Sequence, residues 1–351
     1  MTVSTGAAAA QGGGLVFPWP APPAAGETRE VAPGIHWLRL PLPFALNHIN
    51  VWLVEDGDGW TIVDTGVARD EARAQWRTAL AALGERPVRR MVVTHYHPDH
   101  VGLAGWFAET HGARLWMTRT EWLAARMYAL DTSEEFAGTF ADFYRSAGGA
   151  ADFVHGVRQG SYDFPSLVTP VPRSYRRLVD GETFEMGGRR WRVVVGEGHS
   201  PEHACLWCEE AGVLIAGDQV LPRISPIVGV MAPEPDADPL SAFLASLAKL
   251  RREIPADALV LPSHNTPFTG LHFRLDELAQ HHDERLDRLL DAVSGARTAM
   301  ELAKALFDRE LDHHQTGFAL AETLSHLRVL ETRGRIARSE RADGVWLYRR
   351  V

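Results

Sequence analysis

Thr94-His95-Tyr96-His97-Pro98-Asp99-His100 is the stretch on which the reading of this 351-residue sequence turns. Three imidazoles and a carboxylate, at His95, His97, Asp99 and His100, fall within six consecutive residues. Imidazole nitrogen and carboxylate oxygen are the donors that zinc takes. Packed into a core without a ligand, the same four side chains would leave several polar groups unmet, each costing about 1–3 kcal/mol. The stretch sits between a β-rich run at 90–94 and a helical pattern at 101–111. The end of a strand that feeds a helix is where layered α/β proteins place their sites.

Working outward, three later stretches repeat that placement. Gly196-Glu197-Gly198-His199-Ser200 follows a strand pattern at 190–195, Ile215-Ala216-Gly217-Asp218 closes one that starts at 213, and Leu259-Val260-Leu261-Pro262-Ser263-His264 closes another. Each alone is a weak signal. Together they put His199, Asp218 and His264 just past strand ends, beside small residues that permit a tight backbone.

The surrounding pattern predicts an α/β chain. Residues 1–30 are rich in Ala, Gly and Pro and are expected to be a flexible N-terminal arm. Asp56-Gly57-Asp58-Gly59 between two β-rich runs predicts a hairpin. A helix is expected over 70–83, closed by Gly84. The main domain is expected over 31–270, with a helical, aromatic-rich insertion at 118–172 that carries Trp122, Tyr128, Phe136, Phe140, Phe143, Tyr144, Phe153, Tyr162 and Phe164. Such an insertion is either a lid over an apolar group or an extra layer with its own core. A connecting helix is expected over 271–296. Residues 297–351 then read as helix (299–306), helix (318–332) and hairpin (335–339 and 345–349), a winged-helix-like order whose tail carries Arg333, Arg335, Arg338, Arg341, Arg349 and Arg350. His281, His282, His313 and His314 occur as pairs in the helical tail and read as solvated or interfacial.

The motif HxHxDH at 95–100, followed by His199, the Gly217-Asp218 pair and His264, resembles the metallo-β-lactamase-fold hydrolases over roughly residues 35–270. The resemblance implies an αββα sandwich with two divalent metal ions at one edge: zinc, with iron and manganese as alternatives. It implies that His95, His97 and His199 hold one ion and that Asp99, His100 and His264 hold the other. Asp218 and a hydroxide would bridge them, with Asp99 and Asp218 as the catalytic carboxylates. Val63-Asp64-Thr65-Gly66 looks like the family's first motif, which makes Asp64 an outer acceptor orienting a ligand histidine. Arg223, shortly after Asp218, is a candidate substrate contact.

Gly198-His199-Ser200-Pro201-Glu202-His203 and Pro262-Ser263-His264 resemble the glyoxalase II-like and lactamase-like endoribonuclease branches. The expected activity is therefore hydrolysis of a small-molecule acyl substrate, a thioester or ester. The alternatives are an endoribonuclease, a lactonase, and a mononuclear iron persulfide dioxygenase that would use only the three-histidine half. The net charge of -9 weighs against binding nucleic acid through the whole field of the protein. No apolar run approaches the roughly 20 residues needed to span a bilayer. Cys205 and Cys208, the only cysteines, fall on opposite faces of a strand, read as packing thiols, and fit a reducing cytoplasm. The oligomeric state stays open, with a homodimer among the alternatives.

Overall fold

A computed structural model describes residues 10–12, 14–159 and 164–351 of the chain. The first half runs β1 (Ala10–Gly12), β2 (Leu15–Phe17), β3 (Thr28–Ala32), β4 (Ile35–Pro41), β5 (His48–Asp56), β6 (Gly59–Val63), α1 (Asp70–Ala82), β7 (Val88–Val92), α2 (Pro98–Val101), α3 (Ala104–His111) and β8 (Arg114–Met117). Helices α4 (Arg119–Leu130), α5 (Glu134–Ser146), α6 (Ala151–Arg158) and α7 (Phe164–Leu167) follow, and the short strand β9 (Arg176–Arg177) completes a seven-stranded sheet ordered β3-β4-β5-β6-β7-β8-β9. Helix α1 buries Ala72, Trp76, Ala79 and Leu80, one face at helical spacing, against the outer side of that sheet.

The second half builds a five-stranded sheet from β10 (Thr183–Met186), β11 (Arg189–Gly196), β12 (His203–Cys208), β13 (Val213–Gly217) and β14 (Leu259–Pro262), with α8 (Pro239–Glu253) crossing between the last two. The chain then forms α9 (Leu271–Ala292), α10 (Ala299–Leu306), α11 (His313–Thr332) and the hairpin β15 (Ile336–Glu340) and β16 (Trp346–Arg350).

Strand alternation sorts the core into layers. On β5, Ile49, Val51 and Leu53 face the helices, whereas Trp52 and Val54 face the second sheet. On β13, Val213 and Ile215 lie between the sheets, whereas Leu214 and Ala216 lie under α8, α9 and α11. The architecture is the expected αββα sandwich of mixed α/β class. Cys205 faces the helices and Cys208 the space between the sheets, both as free thiols.

Two expectations need correction. The segment read as an arm over 1–30 is woven into the fold from residue 15 onward: Leu15 and Phe17 are buried in the core beneath α9, and β3 is the edge strand of the larger sheet. Residues 1–9 and 13 of that segment lie outside the described residues, as does Tyr162 of the insertion. The single helix expected over 101–111 is two, because Gly102 and Leu103 interrupt it between α2 and α3. Of the solvated and interfacial alternatives for His282, the structure shows the interfacial one: it is fully buried between α9 and α11.

The insertion packs as a layer. Tyr128, Phe136, Phe140 and Phe164 cluster against the first sheet's helical face. Phe143 and Phe153 join the core of the C-terminal helices, with Phe143 set edge-on to Trp346. No helix among the described residues is long and apolar enough to cross a membrane.

Candidate metal centre

Strand direction decides where the site forms. β6, β7 and β8 run parallel, as do β13 and β14, and β11 runs in the same direction as β13 because two antiparallel steps separate them. The chain therefore leaves β6, β7, β11, β13 and β14 at one edge of the sandwich, and those exits carry Asp64, residues 94–100, His199, Asp218 and His264. Main-chain hydrogen bonds from Ala204 N to Thr94 O at 2.9 Å and from Asn50 N to Ser263 O at 2.6 Å tie the two sheets together there.

All seven predicted ligands meet at that edge, in two groups. His95, His97, His199 and Asp218 form one; Asp99, His100 and His264 form the other; within each, the donor atoms lie within 4.8 Å of one another. His95 Nε2 is 2.9 Å from His97 Nδ1 and 3.2 Å from His199 Nε2. Asp218 stands between the groups. Its Oδ2 lies 3.4 Å from His199 Nε2, while its Oδ1 lies 3.4 Å from His264 Nε2 and 3.6 Å from His100 Nε2. Asp99 Oδ2 closes the second group, 3.5 Å from His264 Nε2 and 3.6 Å from His100 Nε2.

The far nitrogen of most of these rings is held from behind, which fixes the tautomer and aims the other nitrogen inward. His199 Nδ1 meets the main-chain oxygen of Ile227, and His264 Nδ1 that of His48, each at 2.8 Å. His100 Nδ1 meets Asp64 Oδ2 at 2.8 Å. Thr94 Oγ1 links Asp64, at 2.9 Å, to His95 Nδ1, at 3.1 Å. Asp64 also accepts from Thr94 N at 2.8 Å and sits at a φ of 63°, so the carboxylate is locked in place by both neighbours and backbone.

The electrostatics differ between the halves. Burial, reinforced by the neighbouring imidazoles, holds His95 and His97 well below the ordinary histidine value, so both are neutral, the form that binds a cation. Burial also opposes charge on His100, but the carboxylates of Asp99, Asp64 and Asp218 overcome it and hold its pKa well above normal. Burial would raise Asp218, yet His264 and His100 beside it hold it well below the carboxylate range. This half demands positive charge. His100 Nε2 and Asp218 Oδ1 are buried without a hydrogen-bond partner. Converging bare nitrogens, orphaned acceptors and a demand for positive charge are what a nitrogen- and oxygen-donor site for divalent cations presents, so the residues fit the ions expected of them.

Replacing Asp64 by asparagine is expected to lower metal affinity by about 10–100-fold, the usual effect of losing the group that orients a ligand histidine. The amide turns one acceptor oxygen into a donor facing the Thr94 or His100 N–H. Competition against a chelator measures it; unchanged affinity would count against this role for Asp64.

Comparison with known proteins agrees with this geometry. The family model described as the metallo-beta-lactamase superfamily matches residues 45–264. The chain belongs to the metallo-β-lactamase superfamily. Members of this superfamily bind divalent metals, and the present chain is a metallo-hydrolase of that family. A second model, for a metallo-beta-lactamase-like C-terminal domain, matches residues 286–351. A beta-lactamase domain protein from Burkholderia ambifaria is similar at 42% identity, covering 96% of this chain and 98% of its own, with a TM-score of 0.88. A probable metallo-hydrolase, YqjP of Bacillus subtilis, is 26% identical over 84% of this chain and 91% of its own length. An atrochrysone carboxyl ACP thioesterase of Aspergillus fumigatus is 23% identical over 84% of this chain; the match spans 59% of that protein.

Arg223 is exposed with its guanidinium 4.9 Å from the centroid of the Phe17 ring, turned to the N-terminal segment rather than joined to the ligand groups. His203 is buried behind the centre, where its Nε2 accepts from Asp218 N at 3.1 Å. A Cβ on Gly217 would collide with that ring, so only glycine lets the chain turn there into Asp218.

Glu121 was not found from the sequence. It lies on α4, fully buried, and accepts from Ser200 Oγ at 2.6 Å, Glu202 N at 2.7 Å and Tyr96 N at 2.9 Å. One carboxylate thereby pins the loop of His95 and His97 to the loop of His199. Burial pushes its pKa up to about 7 against those three donors. A lone glutamate in a helical insertion carries no motif, so only the folded chain reveals it.

Proposed function

We propose that the chain is a dinuclear hydrolase of the glyoxalase II-like type that cleaves an acyl thioester or ester, with zinc as its metal. The observation that carries the dinuclear reading is the division of Asp218, whose Oδ2 faces the His95, His97 and His199 group while its Oδ1 faces His100 and His264. Two divalent ions held by these residues would lower the pKa of a bound water and polarise an acyl carbonyl. The chain supplies the rest. Asp218 keeps both donor groups in register, and Asp64, Ile227 and His48 keep the rings aimed. Asp99, the most exposed carboxylate of the centre, is placed to accept the proton of the attacking water and return it to the departing sulfur or oxygen. Water oxygen bonds to the acyl carbon, the carbon–sulfur bond breaks with its electron pair on sulfur, and an acid and a thiol leave.

The thioester choice is supported by the thioesterase among the chain's distant relatives. The endoribonuclease alternative loses support at the C-terminal tail. Arg338 pairs with Asp236 at 2.8 Å, Arg341 with Asp343 at 2.7 Å and Arg350 with Asp291 at 3.5 Å, so half of the six tail arginines already face a carboxylate. A nucleic-acid surface keeps its cations free for phosphate.

Purified chain loaded with zinc is expected to release free thiol from acyl-glutathione, acyl-CoA or acyl-carrier thioesters. The same preparation is assayed against lactones, β-lactams and RNA with its metal content measured. RNA cleavage without thioester turnover would reverse the assignment.

A further inference from the structure

The C-terminal helices carry a second group of ligand-type side chains that the centre above does not use. His282 on α9 and Glu322 and His326 on α11 are all buried, and each offers a donor atom within 4.8 Å of the others. Glu322 and His326 are four residues apart on one helix and so share a face, which α9 covers with His282. His326 Nδ1 donates to the main-chain oxygen of Glu322 at 2.8 Å. With its hydrogen placed there, Nε2 carries the lone pair, and it points at His282 Nδ1 across 3.2 Å. One nitrogen fixed by a carbonyl and the other turned toward a second donor residue is how ligand histidines are held.

The surrounding atoms are short of partners. His282 Nε2, Glu322 Oε1 and Ser325 Oγ are buried without a hydrogen bond. Arg285 Nη2 stands 3.2 Å from Glu322 Oε1, an ion pair outside hydrogen-bonding geometry. A bond between the two imidazoles uses one nitrogen of each ring and leaves the Glu322 carboxylate without a hydrogen-bond donor at Oε1. Clustered buried polar atoms without partners call for a group that meets them. The same signature marks the catalytic centre at His100 Nε2 and Asp218 Oδ1.

We propose that His282, Glu322 and His326 form a separate metal site that holds one divalent ion of the zinc type and clips α11 to α9. Two imidazoles and one carboxylate are a zinc donor set, and a water would complete the tetrahedron. Burial between helices makes the site structural rather than hydrolytic. The proposal does not depend on the thioester or dinuclear reading.

The test reads metal and melting rather than turnover. The full-length chain carrying His95→Ala, Asp218→Ala and His264→Ala is stripped with a chelator, reloaded with zinc and dialysed. It is expected to keep one equivalent, to show imidazole neighbours in zinc X-ray absorption, and to melt higher than its stripped form. Adding His282→Asn or His326→Asn is expected to remove that equivalent and the zinc-dependent rise in Tm. A triple variant that keeps no zinc, or one whose zinc survives both asparagine changes, overturns the site. Should the triple variant not fold, His282→Asn alone decides: one equivalent fewer than the unmutated chain is expected, and equal metal content overturns the proposal.

Discussion

Asp218→Ala is expected to remove hydrolysis and to lower the metal content of the same preparation. Among the described residues, Asp218 is the only one whose two side-chain oxygens face both donor groups. Alanine leaves His199 without its carboxylate and takes one of two carboxylates from His264. It also leaves several mutually repelling imidazole dipoles with less charge to anchor an ion between them. A fall in kcat/KM of about 10³-fold or more, on the order of 4 kcal/mol of transition-state stabilisation, is expected. Paired kinetics and metal analysis measure it. Turnover at the unmutated rate would end the dinuclear assignment, because no other carboxylate lies between the groups among the described residues.

Glu121→Ala is expected to have the second-largest effect, and on stability as well as rate. The substitution leaves Tyr96 N, Glu202 N and Ser200 Oγ buried or half-buried with nothing to accept their hydrogens. Orphaned donors cost about 1–3 kcal/mol each, so a loss on the order of 3 kcal/mol is expected. Glu121→Gln separates the causes. Its single oxygen can still serve Ser200 and Glu202, but its amide then faces the Tyr96 N–H, donor against donor, so an intermediate loss is expected. The pH dependence carries a sign. The folded carboxyl, pushed up to about 7 by burial, binds its proton more tightly than the unfolded one. The folded state therefore holds the extra proton between the unfolded value near 4.5 and about 7, and Glu121's contribution to stability falls as pH rises through that window. Thermal melts at pH 5 and pH 7.5 read it: the gap between the unmutated chain and Glu121→Gln is expected to change across the window, and an unchanged gap would sink this account.

The insertion makes a related point. Trimming residues 118–172 is the obvious way to ask whether they form a lid, yet α4 supplies Glu121 to the ligand loops and Tyr128 stacks on Tyr96 at 5.2 Å. Deletion is therefore expected to cost metal binding and folding, which circular dichroism and metal content would register before any change in acyl preference. The aromatics that looked from the sequence like either a lid or a layer are shared between two cores.

What the sequence determined by itself was the donor set and its setting. Histidine and aspartate placed just past strand runs, with glycine beside them, are local features, and strand period and strand-end position are local too. The αββα order came from the resemblance those motifs carry, whereas the opposed thiols follow from strand alternation alone. Tertiary structure alone decided the rest. Which ring nitrogen faces inward depends on carbonyls at His48 and Ile227, far along the chain from His264 and His199. The tie that Glu121 makes between two loops, the pairing of the tail arginines, the stacking of Arg223 on Phe17 and the burial of His282 against His326 are likewise contacts between residues distant in sequence. Periodicity reports the face on which a side chain lies; the partner on that face is set by how the layers close, and a single chain read in order contains no term for that.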